Sequence, residues 1–293
     1  MIHFMRYKWL YFLISASILV PGFYSLFRWG LNPSIDFTGG TLFELKFENN
    51  SQFSILNSQL KEITDNEEIE FGSIQSSGEN IYLLRMKPIT KEKKEAMLKA
   101  IEEKFGQVEE LRFETVGPTM GKELLRKTFY AACLSILAIL VFIGWSFKNW
   151  HFGASAILAL LHDFFILLGS FSLLGHFFNV EIDSLFVTAV LTTMSFSVHD
   201  TIVIFDRIRE KKRLNPKLEL ESQADVALTE TMVRSLNNSF TIVFMLLALI
   251  LLGGETIRWF VVALLIGTIT GTYSSPFVAT PILVILQRLK RRK

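Results

Sequence analysis

The stretch FSVHDTIVIFDRIRE, Phe196 to Glu210, decides the fold. Its first ten residues read as a helix inside a membrane apart from one carboxylate, Asp200, and the remainder reads as a charged helical continuation of the same span. An aspartate in hydrocarbon costs up to about 3 kcal/mol on insertion scales unless it faces protein or water and finds a partner. A carboxylate kept at such a place is a candidate functional group. The plain alternative is that it pins one helix to another or lies at the interface.

The rest of the chain sets the context for that carboxylate. Half of the 293 residues are apolar and 20% are charged, too hydrophobic for an ordinary soluble domain and too charged for a chain wholly in lipid. The net charge of +2 makes no basic field, so no nucleic-acid partner is expected. The single cysteine, Cys133, allows neither an intrachain disulfide nor a cysteine metal cluster, and its apolar surroundings suggest a small buried hydrophobe. No metal site is expected.

A helix needs about 20 residues to cross a hydrocarbon core of about 30 Å. Apolar runs of that order lie near Trp9 to Trp29, Thr128 to Phe147 and Phe152 to Leu174. Three more run from about Ser184 to Phe205, from the region before Phe240 to Gly253, and from about Trp259 to Leu286. Trp9, Trp29, Trp145 and Trp259 fall near span ends, where amphipathic rings prefer the interface. The first span follows Arg6 and Lys8 and lacks a small-residue cleavage site, so it reads as an uncleaved anchor. Arg207, Arg209, Lys211, Lys212, Arg213 and Lys217 follow the fourth span and a basic tail follows the sixth, which by the positive-inside bias makes both termini cytoplasmic.

That orientation leaves residues 30–126 outside, and their pattern is that of a domain. TLFELKF reads as a strand, SQFSILNSQLKEIT as a helix with Phe53, Leu56, Leu60 and Ile63 on one stripe, and IEFGSIQ and NIYLLRM as a hairpin around SSGE. KEKKEAMLKAIEEKF follows as a second helix with Met97, Leu98, Ile101 and Phe105 inward, and VEELRFETV as a last strand. The order β-α-β-β-α-β is the ferredoxin-like split pattern. The expected fold is therefore an α-helical membrane protein with six transmembrane helices plus an α+β ferredoxin-like extracytoplasmic domain. Its parts are residues 1–29, the N-terminus and first span; 30–126, the outer domain; 127–287, the five remaining spans; and 288–293, a basic tail. The outer domain shows no pairing of His, Cys or Ser with a base, so binding or mechanical work is expected of it rather than catalysis.

A partner for Asp200 follows from helix arithmetic. The carboxylate lies about five residues before the end of its span, or roughly 7 Å inside at about 1.5 Å per residue. The fifth apolar run is short, and extending it backwards through RSLNNS brings Arg234 to a similar depth on a helix of opposite direction, with Asn237, Asn238 and Ser239 beside it. Desolvation favours the neutral acid and a nearby arginine favours the carboxylate, so opening and closing an Asp200–Arg234 pair would load and release a proton. Asp163, midway along the third span, is a second carboxylate at membrane depth, with helix packing and a direct role both open. His162 and His199 each precede one of these aspartates. Adjacent helical residues point about 100° apart, so neither dipeptide is expected to form a dyad. The spacing of Gly267 and Gly271 suits close helix packing. Pro276 and Pro281 are expected to disturb the sixth span and free carbonyls that neighbours must satisfy.

These motifs in this order resemble the SecD/SecF family of bacterial protein-export membrane proteins, on its SecF side. DFTGGT at 36–41, VGPTMGKEL before the second span, ALLHDFFILLG in the third, SVHDTIVIFDRIRE at the end of the fourth and LIGTITGTYSSPFVATPIL in the sixth carry the likeness over nearly the whole chain. It implies a fold of the resistance-nodulation-division type, a heterodimer with SecD, and use of the proton gradient to draw or release exported preproteins after the SecYEG channel and SecA have started them across. The proton is then the coupling ion, no other cofactor is implied, and no enzymatic activity is expected. Asp200 and Arg234 match the family's proton-pathway residues. Asp163, Ser197, His199, Thr201 and Asn237 are candidate supporting groups, and Asp36, Gly39, Gly40, Gly117 and Pro118 candidate hinge or junction residues.

Two positions depart from the family pattern: His199 stands where Asn is common and Ser195 where Gly often opens the motif. Other readings stay open. The chain is also compatible with a purely structural partner of SecD and the channel. A small-molecule exporter of the same superfamily is disfavoured by length, and an aspartyl intramembrane protease by the missing GxGD signature around Asp163 and Asp200.

Overall fold

The computed structural model describes residues 3–48, 59–64, 69–78, 80–147 and 149–291. The chain divides into two compact units, Met1–Asn32 with Tyr130–Lys293, and Pro33–Phe129.

Among the described residues six helices are long and apolar enough to cross a membrane. After a short 3-10 turn at Phe4–Tyr7 they begin with α1 (Lys8–Arg28). A single turn, α2 (Ile35–Thr38), the strands and two further helices of the second unit come next, followed by α5 (Pro118–Ser146), α6 (Trp150–Phe178), α7 (Ser184–Leu214), α8 (Leu220–Leu252) and α9 (Glu255–Ser274). A π-helical turn at Ser275–Ala279 joins α9 to α10 (Thr280–Arg291), and the two together make the sixth span. Local chemistry sets the boundaries. Asn149 and Asp183 cap α6 and α7 by accepting the backbone N–H of His151 at 3.2 Å and of Phe186 at 2.8 Å. Asn179, left-handed at φ 54°, ends α6.

The helices outrun the apolar runs that signal them. α7 continues through the basic segment to Leu214, and α8 begins at Leu220, far upstream of Phe240. Polar helix needs no hydrocarbon, so hydropathy marks the membrane portion and not the helix end.

Within the first unit α6, α7 and the sixth span make the centre, while α5 and α8 turn most of their surface outward. Cys133 illustrates the difference: expected as a buried hydrophobe, it is exposed on α5. An apolar run in a span does not separate the core side from the outer side, because lipid and core are equally apolar. Small residues carry the closest crossings. A Cβ on Gly169 of α6 would lie 2.6 Å from Gly22 Cα of α1. One turn further along, Ser25 and Ser172 hydroxyls meet at 2.6 Å, and Ser172 Oγ donates to the Gly30 carbonyl at 2.6 Å.

In the second unit β1 (Gly40–Phe47), β2 (Phe71–Gly78), β3 (Ile81–Met86) and β4 (Val108–Val116) form one antiparallel sheet in the order β2-β3-β1-β4. Helical residues 59–64, α3, lie between β1 and β2, and α4 (Lys91–Phe105) between β3 and β4. This is the strand order of a split β-α-β-β-α-β unit. Alternation puts Phe43, Leu45 and Phe47 of β1 and Leu84 of β3 into a core shared with Leu60, Ile63, Met97 and Ile101. Leu98 and Phe105 pack against that core, while Phe53 and Leu56 lie outside the described residues.

The junction motifs meet inside this unit. Gly39 and Gly40 have φ of 74° and 137°, and Ser34 Oγ accepts the N–H of Asp36 at 3.2 Å. A Cβ on Gly39 would lie 2.8 Å from Pro118 Cα, and one on Gly121 would lie 2.7 Å from Gly39 N. Backbone therefore packs on backbone between the entry to β1 and the start of α5. Gly117 has open space around it.

Candidate functional site

Asp200 sits at mid-length on α7, half-buried. α8 packs beside α7, and a cavity of about 280 Å³ opens between them, lined by His199, Asp200, Val203 and Ile204 from α7 and Thr231, Arg234, Ser235 and Asn238 from α8. Both sets follow three-and-four spacing, which puts them on one helical face each. Ser235 Oγ donates to Asp200 Oδ2 at 3.2 Å. Among the described residues no ion pair joins Asp200 to Arg234: the two face the same space without touching, where the sequence suggested a direct pair. Arg234 is exposed and Asp200 only half so.

The spacing also decides between neighbouring asparagines. Asn238, four residues after Arg234, lines the cavity; Asn237 is exposed, and its carbonyl accepts Thr241 Oγ1 at 2.9 Å within the helix. Asn237 and His199 thus part company, since His199 does line the cavity. Ser235 and Thr231, which the sequence reading passed over, were findable from the same periodicity.

Asp163 stands in a different place. It is buried on α6, and its Oδ2 accepts Ser197 Oγ of α7 at 2.5 Å and Ser274 Oγ of α9 at 2.6 Å. Its Oδ1 lies 2.9 Å from Nδ1 of His162. The neighbouring histidine therefore does reach its aspartate, against the expectation from a 100° step. Two side chains with free χ angles bend toward each other along the helix surface, so Cβ direction alone does not decide contact. Thr201 joins the same polar layer by a bond of 2.8 Å between its hydroxyl and that of Ser275, which also donates to the Ser197 carbonyl at 3.3 Å.

α9 reaches this layer through its glycines. A Cβ on Gly267 would lie 2.3 Å from Thr193 Cγ2, and one on Gly271 would lie 3.1 Å from Ser197 Cβ. The π-helical turn follows directly and contains Pro276. Thr280 Oγ1 donates to the Ser275 carbonyl at 3.1 Å, so a side chain supplies a donor within the disturbed stretch. Among the described residues no group of three or more His, Cys, Asp or Glu side chains is placed to hold a metal ion.

A bundle of long apolar helices with ionisable groups set between them, carried with a split α+β sheet unit, is the architecture of a multi-pass membrane protein. Known proteins narrow the class. The family described as protein export membrane protein SecD/SecF, C-terminal, matches residues 94–289, and the SecD/SecF GG motif matches residues 24–50. The chain is 40% identical to the protein translocase subunit SecF of Thermobaculum terrenum over 97% of its own length and 93% of that protein. It is 35% identical to the protein of the same name from Synechocystis, over 91% of its length and 88% of that protein. Its structure superposes with a TM-score of 0.85, at 30% identity, on SecDF, a translocon-associated membrane protein from Thermus thermophilus, covering 98% of this chain and 39% of that one. The chain belongs to the SecD/SecF family of protein export membrane proteins, and these relatives are named SecF subunits of the protein translocase.

Proposed function

We propose that the chain works as the SecF half of a SecD–SecF complex that spends the proton gradient on late steps of preprotein export. In this reading both termini are cytoplasmic, residues 30–126 act outside, SecYEG and SecA begin the translocation, and the coupling ion is the proton. The observation that carries it is the cavity shared by Asp200 and Arg234. A half-buried carboxylate held by one neutral hydroxyl, facing a guanidinium it does not touch, has two available states: neutral and apart, or ionised and paired. Each charge moved through the membrane potential yields about 2.3 kcal/mol per 100 mV, enough to bias a two-state element. His199 on the same wall, in place of the family's common Asn, gives the site a second titratable group. The backbone contacts among Gly39, Pro118 and Gly121 support a role for these motifs in holding the entry to β1 against the start of α5.

The test compares gradient-dependent completion of preprotein export in membranes carrying Asp200→Asn or Arg234→Met, at matched assembly with SecD. Late-stage release is expected to fail in both while ATP-driven initiation persists. Normal export at equal assembly makes the Ser235–Asp200 contact a structural pin and leaves the chain a stabilising partner of SecD.

A further inference from the structure

A buried carboxylate on α6 lies outside the cavity. Asp163 lies in the middle of three elements, and each of its contacts is intramolecular: Ser197 from α7, Ser274 from α9 and His162 from its own helix. All four side chains are more than nine-tenths buried. Both serine hydroxyls converge on the same carboxylate oxygen at 2.5 and 2.6 Å, and the alternative acceptor of Ser274, the Gly271 carbonyl, is farther at 3.3 Å.

Position on α7 gives those bonds a consequence. Ser197 stands three residues before Asp200 and Thr201 one residue after it. Ser197 is held by Asp163, and Thr201 by Ser275 in the π-helical turn. Gly271 removes the side chain that would otherwise keep α9 away from Ser197. The same turn of α7 is thus bound by hydroxyl contacts to α6 and the sixth span, while among the described residues Asp200 itself accepts one side-chain hydrogen bond, the 3.2 Å contact from Ser235.

We infer that Asp163 is a positioning residue: through Ser197 and Ser274 it fixes the rotation of α7 against α9, and so sets how the turn bearing Asp200 faces the Arg234 cavity. Asp163 does not line that cavity. Rotation about α7 is the coordinate at stake, because neighbouring residues are about 100° apart and a fraction of that angle moves a side chain out of the cavity. The inference takes the importance of Asp200 from the function proposed above, but its test needs no export.

The test uses the full chain assembled with SecD in membranes, with Cys133→Ser to clear the background and Val203→Cys as a reporter on the cavity wall. The rate of maleimide labelling at position 203 is measured for Asp163→Asn, Ser197→Ala, Ser274→Ala, Ser274→Thr and the double variant Asp163→Asn/Ser197→Ala. A change of at least fivefold is expected for Asp163→Asn and for Ser197→Ala. Ser274→Thr keeps the hydroxyl and should label as the parent does, whereas Ser274→Ala should not. The double variant should be no further from the parent than the worse single variant, since both remove one interaction. Parental labelling in Ser197→Ala and Ser274→Ala overturns the inference even if Asp163→Asn fails to assemble. So do additive effects in the double variant, which assign the two residues separate jobs. Failure of Asp200→Asn to impair export overturns the proton reading and leaves the labelling result standing.

Discussion

At the scale of single residues, the strongest constraints fall on glycines whose neighbours are backbone. Gly39 combines φ 74° with ψ 162°, a region almost closed to side chains, and its missing Cβ makes room for Pro118. Gly39→Ala is therefore expected to cost about 3 kcal/mol or more, strain and clash together, and to lower the apparent melting temperature of the detergent-solubilised protein. Gly117→Ala, with open space around it, serves as the comparison and should shift that temperature little. Equal melting of the two variants would remove the junction from the list of tight sites. The motif DFTGG was legible in the sequence, through the family resemblance, as a candidate hinge or junction. Which of its glycines is indispensable was not, because the partner is Pro118, many residues away, and only the fold brings it within reach.

At the scale of elements, α7 and α9 approach through Gly267 and Gly271, and the two positions are unequal. A methyl group on Gly267 would meet Thr193 at 2.3 Å, whereas one on Gly271 would meet Ser197 at 3.1 Å. Thr193 is buried and its hydroxyl is engaged with the Val190 carbonyl at 3.0 Å, so it has little room to yield. Gly267→Ala should accordingly cost about 1–3 kcal/mol by overpacking, and Gly271→Ala less. Gly144→Ala on α5, which meets nothing, should be neutral or gain up to about 1 kcal/mol from helix propensity. Thermal unfolding of the three variants in one detergent ranks them, and a reversed order for the first two would contradict the packing. The glycine spacing announced a close approach, and the prolines a disturbed sixth span, because both effects act along the chain. The Gly22–Gly169 crossing was silent, since one glycine on each of two helices leaves no pattern in either. The candidate site divides the same way. Asp200 and Arg234 stood out as charges among apolar residues and Ser235 was within reach of the same periodicity, while the bonds of Ser274 and His162 to Asp163 depend on χ angles and on a neighbouring helix that the sequence does not show.

At the scale of the whole membrane unit, the chain's first residues close the bundle. Met5 N–H donates to Asp225 Oδ1 of α8 at 2.9 Å, and His3 Nδ1 lies 3.5 Å from the other carboxylate oxygen. Lys8 at the start of α1 pairs with Glu221 at 2.8 Å, and Arg288 of α10 pairs with the same carboxylate at 3.1 Å. First, fifth and sixth spans thus meet at two acidic residues one helical turn apart. The two are not equivalent. Asp225 is buried and serves a backbone N–H, so Asp225→Ala leaves that donor unpaired away from water and should cost about 1.5–3 kcal/mol. Glu221 is part-exposed and shared between the mostly buried ammonium of Lys8 and the exposed guanidinium of Arg288, so Glu221→Gln should cost about 1 kcal/mol, less than Asp225→Ala, and the share that belongs to Arg288 should fade in high salt. Protease cleavage within the first seven residues should accelerate strongly in Asp225→Ala and only slightly in Glu221→Gln. Arg234 lies nine residues along α8 from Asp225, with no break in the helix between them. Loosening the N-terminal clamp should therefore also alter labelling of a cysteine at position 203, and an Asp225→Ala variant that frays at its N-terminus yet labels normally there would show that the two ends of α8 act independently.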